Sequence, residues 1–228
     1  MRLGTAAYLT IFTPSPDATV RFLRSLGFIS LPGEGTELLF DGALLYDVRR
    51  AERPGTALSY TVPDVANAAA MAENLEYTVA ERSRHHAVIR EPNGLSILLA
   101  GPEMMRLPEP PERFTPPCGA FAELSIETDD IERSVRWWQN AGFKATTRKE
   151  TWCTLDDGRI LIGAYRRGTC PHLFRTPSVT FFAPDMKERI AALKAAGTTF
   201  VQEEKEIGME GHAIAESPDG LLFFLFAG

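Results

Sequence analysis

The chain consists of two similar copies, and this duplication constrains the fold more than any other feature. Residues 8–28, YLTIFTPSPDATVRFLRSLGF, align with residues 123–143, ELSIETDDIERSVRWWQNAGF. Late turns also recur, since residues 92–94 (PNG) match residues 218–220 (PDG). An internal repeat of this length indicates that both copies fold as the same supersecondary arrangement.

A finer repeat lies within the second copy. Residues 130–142, DIERSVRWWQNAG, resemble residues 185–197, DMKERIAALKAAG. The helical spacing of apolar residues predicts two helices, with Asp130 and Asp185 as N-caps and a glycine after each end. Short alternating stretches around the helices predict strands. The unit is a strand, a helix and two or three more strands, which predicts an α+β fold of paired modules with curved mixed sheets.

A proline-rich joint separates the copies. Residues 101–118 hold six of the sixteen prolines of the chain. Proline fixes the backbone and cannot donate to a sheet, so this segment is expected to be a semi-rigid spacer. The predicted division is a first domain at 1–101, a linker at 102–118 and a second domain at 119–228.

Composition excludes several classes of partner. The formal net charge is −6 and no cluster of lysine and arginine stands out, so neither nucleic acid nor an anionic membrane is expected as a partner. No apolar run approaches the roughly 20 residues that a bilayer span needs, and no signal peptide is recognised. The three widely spaced cysteines predict reduced thiols in the cytoplasm. The expected assembly is a monomer or a homodimer.

The repeated residues resemble the vicinal oxygen chelate superfamily, which includes glyoxalase I, bleomycin-resistance proteins, fosfomycin-resistance enzymes and extradiol dioxygenases. The resemblance rests on ELSIETDDIERSVRWWQNAGF, on its degenerate copy at 8–28, and on the turns REPNG and ESPDG. It implies four βαβββ modules, paired into two glyoxalase-like domains. It says less about function, since this fold hosts several chemistries.

The resemblance also implies where metal ligands would lie on the concave face of each sheet. The matching positions are Tyr8, Tyr46 or its neighbour Asp47, Ala57 and Leu98 in the first copy, and Glu123, Ile162, Ser178 and Phe224 in the second. Only Glu123 is clearly a ligand type, with Asp47 available if the alignment shifts by one residue. We therefore expect no metal and no other cofactor. The alternative is a divalent metal in a glyoxalase-like lyase or a dioxygenase-like enzyme, with an atypical site built from Glu123 and His212.

Strand alternation predicts which side chains share the concave faces. The predicted ligand contacts are Glu123, Trp152, Ser178, Thr180, Phe182, His212 and Phe224 in the second copy, and Tyr8 and His86 in the first. A mostly apolar and aromatic surface with a few polar groups suits a small organic molecule of aromatic or amphipathic character. The prediction is a metal-independent binding protein of the bleomycin-resistance type, with the second face as the principal site.

Three of these side chains have alternative interpretations. Glu123 either pairs with Arg148 or Arg159, or remains desolvated with a raised pKa and acts as a general base. His86 and His212 occupy matching places and are either hydrogen-bonded structural residues or a pair that contacts the ligand. Trp152 either stacks on a planar ligand or packs across strands. A scaffold that keeps the fold without a ligand is the third alternative for the whole chain.

Overall fold

The computed structural model describes residues 3–32, 37–104, 107–109 and 111–228, and it confirms the α+β prediction with two eight-stranded mixed sheets. The first copy contains β1 (Ala6–Thr13), α1 (Pro16–Ser25), β2 (Ile29–Leu31), β3 (Glu37–Phe40), β4 (Leu45–Arg50), β5 (Gly55–Thr61), α2 (Val65–Asn74), β6 (Thr78–Arg82), β7 (His86–Arg90) and β8 (Ser96–Ala100).

The second copy repeats this order with one added short helix. It contains β9 (Ala120–Thr128), α3 (Ile131–Asn140), β10 (Lys144–Arg148), β11 (Trp152–Asp156), β12 (Leu161–Arg166), β13 (Ser178–Ala183), α4 (Met186–Ala195), β14 (Gln202–Glu203), α5 (Glu204–Ile207), β15 (His212–Glu216) and β16 (Leu222–Ala227). Each copy therefore holds two βαβββ modules.

The sheets have the same strand order. The first sheet runs β2-β3-β4-β1-β5-β8-β7-β6, and the second runs β10-β11-β12-β9-β13-β16-β15-β14. In every module the first strand lies parallel to the last, and the two modules of a sheet meet through one antiparallel pair, β1 with β5 or β9 with β13. These four central strands carry Tyr8, Ala57, Glu123 and Ser178, and the other positions that the resemblance implies lie on the strands beside them.

Local sequence signals explain how the helices begin and end. The Asp130 side chain accepts a hydrogen bond from the Arg133 backbone N–H at 2.9 Å, which is the predicted N-cap of α3. Gly142 follows that helix with φ of 101°, a conformation that favours glycine. Asp185 also precedes its helix, but its carboxylate makes no cap; it accepts instead from Arg189 Nε at 2.6 Å.

The main hydrophobic core lies between the two copies. One buried cluster includes side chains from one face of each sheet and from the helices that cover it. Aromatic pairs cross directly from copy to copy, with ring centroids 5.4 Å apart for Phe22 and Phe223 and 5.9 Å apart for Phe28 and Phe181. The other face of each sheet points away from this core, and the predicted ligand contacts lie on that face.

The described part of the linker lies against the first sheet. Leu107 and Phe114 pack beside Tyr8 and Phe40, and the Phe114 and Phe40 ring centroids are 5.9 Å apart. A Cβ at Gly42 would approach the Phe114 carbonyl oxygen to 1.9 Å, so only glycine permits this contact. Residues 105, 106 and 110 of the linker, and residues 1, 2 and 33–36 of the first copy, lie outside the described residues. The domain limits themselves stay a prediction.

The helices in the described ranges are all too short or too polar to cross a bilayer.

Candidate functional site

The candidate sites lie on the two sheet faces turned away from the shared core. We name them the first face and the second face. The first face carries Tyr8, Thr10, Phe12, Asp47, Ala57, Ser59, Ser96 and Leu98; the second carries Glu123, Ser125, Glu127, Gly163, Tyr165, Ser178, Thr180, Leu222, Phe224 and Phe226. Strand register makes Tyr8 equivalent to Glu123, Asp47 to Gly163, and Leu98 to Phe224.

A pair of hydroxyl groups marks the centre of both faces. Thr10 and Ser59 are hydrogen-bonded at 2.7 Å across β1 and β5, and Ser125 and Thr180 are hydrogen-bonded at 2.7 Å across β9 and β13. All four side chains are buried. Both copies therefore have the same hydrogen-bonded pair of hydroxyl groups, while the residues around the pair differ.

Glu123 is the central carboxylate of the second face. It is 7% exposed and accepts hydrogen bonds from Tyr165 Oη at 2.5 Å and from Ser125 Oγ at 3.1 Å. Burial raises its pKa, and these two hydrogen bonds offset part of that rise. A Cβ at Gly163 would come within 2.0 Å of Glu123 Oε1, so the carboxylate occupies space that only glycine leaves free.

The alternative that Glu123 pairs with Arg148 or Arg159 is wrong. Arg148 pairs with Glu132 and Arg159 with Asp157, on other parts of the second copy. Tyr165 takes that role, and it was missed because a tyrosine in an alternating strand looks like any other half-buried residue. Burial and the Glu123 charge raise the Tyr165 pKa, so its phenol stays neutral and donates.

The first face has a different polar centre. Asp47 is fully buried, and its Oδ2 accepts from Arg49 Nε at 2.5 Å. The other oxygen, Oδ1, and the hydroxyl of Tyr8 have no hydrogen-bond partner among the described residues. Burial raises the pKa of Asp47, although the Arg49 charge opposes that rise. Burial and the nearby Asp47 raise the pKa of Tyr8 to about 12, so this phenol is neutral.

The metal-ligand position that the resemblance implies on β4 is Asp47 and not Tyr46, one residue along from the first alignment. Asp47 faces the site, whereas Tyr46 points into the core and donates to Asp41 Oδ2 at 2.7 Å. The equivalent position in the second copy is accordingly Gly163, not Ile162, which is buried in the core.

Aromatic side chains cover much of the second face. Phe224 is 1% exposed, and its ring centroid lies 4.7 Å from His172, 5.3 Å from Phe174 and 5.4 Å from Phe226. His172 belongs to the loop before β13, and a single histidine in a loop carries no recognisable pattern in the sequence. Burial lowers its pKa, which favours the neutral imidazole. His172 and Phe174 of this loop therefore cover Phe224, at one of the positions where the resemblance implies a metal ligand.

Four of the remaining predicted residues lie on the second sheet, and His86 lies apart from Tyr8 on the first. His212 stacks on Phe226 at 4.6 Å, and Trp152 stacks on Tyr165 at 6.4 Å, so both lie on the second face. Ser178 Oγ donates to the Arg175 carbonyl at 2.6 Å, and Phe182 is 40% exposed at the edge. His86 is not with Tyr8: its Nε2 is 2.8 Å from Glu81 Oε1, at the margin of the first sheet.

Open space lies over the first face. A cleft of about 690 Å³ has an apolar floor that includes Phe12, Ala57, Val88 and Leu98. Its volume is in the range typical of sites for small organic ligands. Arg90 lies in its lining and was not singled out from the sequence, because one arginine at a strand end carries no recognisable pattern.

The donor groups do not fit a three-ligand metal centre. No group of three or more His, Cys, Asp and Glu side chains that could hold an ion occurs within the described ranges. The positions implied by the resemblance provide Asp47, already paired with Arg49, and Glu123, already hydrogen-bonded to Tyr165. Their remaining members are neutral or apolar.

Comparison with known proteins identifies the fold. No family model and no curated protein matches the chain. A Mn(II)-bound glyoxalase from Novosphingobium aromaticivorans is similar with a TM-score of 0.64 and 14% identity, over 96% of this chain and 80% of that chain. A variant of homoprotocatechuate 2,3-dioxygenase from Brevibacterium fuscum is similar with a TM-score of 0.62 and 11% identity, over 98% of this chain and 71% of that chain.

A third structure spans nearly the same length as this chain. It is 2,2',3-trihydroxybiphenyl 1,2-dioxygenase from Sphingomonas wittichii, with a TM-score of 0.54 and 18% identity over 100% of this chain and 90% of that chain. The sequence-based prediction that the protein takes no cofactor is contradicted by these comparisons, because a structure of the same fold is Mn(II)-bound.

Proposed function

We propose that this chain, which has the tandem two-domain fold of the vicinal oxygen chelate superfamily, binds a small organic compound of aromatic or amphipathic character on its sheet faces. The observation that carries the proposal is the cleft of about 690 Å³ over the first face, with its apolar floor and polar margin. The comparisons support the fold and not the narrower bleomycin-resistance role, so the proposal is limited to ligand binding.

The cleft suits such a ligand because burial of apolar surface supplies affinity and a few polar groups supply orientation. Val88 and Leu98 come from neighbouring strands β7 and β8, which hold the floor in place through their ladder. Ser96 and Thr56 bring hydroxyl groups to the same cleft. The floor is thus built on rigid strands, and a ligand needs no rearrangement of the core.

The second face remains a proposed second surface, with the contacts predicted from sequence. Glu123 and Thr180 form its polar centre, and Trp152, Phe224 and His212 contribute rings. Leu173 and Phe174 already pack on this face, so a ligand would replace contacts that the loop makes now. The earlier prediction that this face is the principal site stays a prediction.

The binding proposal is tested by native mass spectrometry of protein purified without chelator, followed by a thermal-shift screen of planar compounds. Val88→Trp fills the cleft, while Val201→Trp adds the same group at a side chain that is 47% exposed elsewhere. We expect retained compounds and screen hits to lose at least tenfold in affinity with Val88→Trp and to keep it with Val201→Trp. Equal affinity for both variants would place the site outside the cleft.

The same spectra test for a metal. A mass increase equal to one divalent ion, lost on treatment with EDTA, would favour an enzyme of the glyoxalase or dioxygenase type over a binding protein. The variant Glu123→Gln then distinguishes the two faces, because it removes the carboxylate of the second face and leaves Asp47 intact.

A second candidate function is acid–base catalysis at the second face. It is favoured by Glu123, a buried carboxyl whose pKa is raised and whose neighbour Tyr165 is a neutral donor. Glu127 lies on the same strand and face but bonds to Arg167, which provides a matched control. We expect any conversion of a bound compound to be lost in Glu123→Gln and kept in Glu127→Gln. Equal conversion by both variants would exclude this role.

A further inference from the structure

Arg90 stands where two cavities meet. The cleft over the first face and a second cavity of about 300 Å³ share Gly55, Thr56, Arg90 and Ser96 in their linings. The smaller cavity continues to Arg175 and Gly220 of the second copy. Arg90 is the last residue of β7 and pairs with Ser96, two residues along the ladder from the apolar pair Val88 and Leu98.

Several other charged groups near the two cavities already have polar partners. Glu81 is hydrogen-bonded to His86 Nε2 at 2.8 Å. Arg175 pairs with Glu216 and also donates to the Gly220 carbonyl at 3.1 Å. Asp219 accepts a hydrogen bond from Thr19. Glu52 and Arg53 are neighbours in the chain and also line the cleft.

Arg90 is bonded to a neutral group. Its guanidinium donates to Ser96 Oγ, a neutral acceptor, and it has no carboxylate within 4 Å in the described ranges. A guanidinium presents several donors in one plane, which matches the two oxygens of a carboxylate. The bond to Ser96 holds the side chain near the cleft and leaves other N–H groups free for a ligand.

We propose that the cleft over the first face binds an amphipathic organic carboxylate, with its apolar body on Phe12, Val88 and Leu98 and its carboxylate on Arg90. This inference rests on the proposed function, since it specifies the ligand class of the same cleft. The apolar floor provides most of the affinity, and Arg90 selects the anion over its neutral analogue.

The expected selectivity is moderate because Arg90 is exposed. Ion pairs in contact with water are weakened by solvent and salt, so we expect about a two- to fivefold preference for the anion, which is the level of exposed charge pairs. The preference should shrink as the salt concentration rises from about 0.01 M to 1 M, over which the screening length falls from about 30 Å to 3 Å.

The test uses two neutral–anionic probe pairs, 2-naphthoate with 2-naphthamide and 4-phenylbutanoate with 4-phenylbutanamide, titrated by calorimetry against the full chain. The variant is Arg90→Gln, which keeps a donor for Ser96 but loses the charge. The control is Arg82→Gln, which removes an exposed arginine that lies near Glu73 on α2. We expect the carboxylate preference to fall to about one in Arg90→Gln and to persist in Arg82→Gln.

The outcomes separate the two proposals. If amides and carboxylates bind equally to the wild type and Val88→Trp abolishes both, ligand binding in the cleft stands and the anion inference is overturned. If a carboxylate preference exists but survives Arg90→Gln, Arg90 is not the anchor and the inference is likewise overturned. If no probe binds, the proposed cleft function fails together with it.

Discussion

The two faces are built on equivalent strands, yet the carboxylate nearest the central hydroxyl pair lies on a different strand in each. In the first copy the carboxylate is Asp47 on β4, beside the phenol of Tyr8 on β1. In the second copy the carboxylate is Glu123 on β9, beside the phenol of Tyr165 on β12, and glycine occupies the position of Asp47. Both arrangements keep one carboxylate and one tyrosine next to the hydroxyl pair.

The consequence is a difference in charge and in space. Asp47 is paired with the cation Arg49, whereas Glu123 is held by neutral donors. The first face keeps an open cleft beside its centre, whereas Phe174 and His172 cover Phe224 on the second. The same backbone therefore supports two different sites, because the sheet fixes positions and the side chains and loops fix chemistry.

Separating the copies should give the largest effect. The fragments 1–101 and 119–228 would each expose the core face that now joins Phe28 to Phe181 and Phe22 to Phe223. We expect the fragments to be poorly soluble alone, to self-associate, or to recombine when coexpressed, as measured by size-exclusion chromatography. Two monomeric fragments without mutual affinity would show that the copies are independent.

Truncating the equivalent apolar residues should give the next largest effect. Phe224 is packed among three other rings, so Phe224→Ala should lower the free energy of unfolding by about 3–5 kcal/mol. Leu98 is a smaller side chain that lines the open cleft, so Leu98→Ala should cost about 2 kcal/mol. Urea denaturation measures both values. Equal losses of unfolding free energy would contradict the inference that the loop packs over Phe224 while the cleft beside Leu98 stays open.

Neutralising the two carboxyl groups should change how stability depends on pH. Folding raises the pKa of the Glu123 carboxyl, so its ionised form destabilises the folded state. The contribution of this group to stability is therefore greatest below the ordinary glutamate pKa of 4.5, and it is lost as the pH rises through the pKa of the folded state. Glu123→Gln should therefore flatten the fall and stabilise the protein relative to wild type at pH 8 more than at pH 4.

Asp47→Asn provides the comparison in the first face. The Asp47 pKa is also raised by burial, but Arg49 offsets part of that cost, and the substitution leaves this arginine without its charge partner. We expect a smaller gain at pH 8 than for Glu123→Gln, or a loss. Urea denaturation at pH 4 and pH 8 measures the free energy of unfolding of both variants. A larger gain in stability for Asp47→Asn would mean that Arg49 does not compensate the buried charge.

Removing one hydroxyl from each central pair should give the smallest effect. Ser59→Ala leaves Thr10 beside Asp47, and Thr180→Val leaves Ser125 bonded to Glu123, so the remaining hydroxyl has a carboxylate nearby in both faces. Each substitution should cost about 1 kcal/mol. A difference of more than about 1 kcal/mol between them would show that the two pairs are not equivalent.

The sequence by itself determined the modules and their faces. The duplication predicted two equivalent sheets, Asp130 and Gly142 predicted the limits of a helix, and strand alternation placed Tyr8, Glu123, Thr180 and Phe224 on the faces away from the core. These inferences succeed because capping and two-residue alternation are local properties of the backbone. The same alternation could not choose between Tyr46 and Asp47, because a shift of one residue reverses the face.

Only the tertiary structure decided what each face contains. It brought Tyr165 rather than an arginine to Glu123, folded His172 and Phe174 over Phe224, and left the cleft beside Arg90 open. These contacts join residues that are dozens of positions apart or lie in loops without a periodic pattern. Their formation depends on how the copies dock and where the loops close, and no local propensity encodes either one.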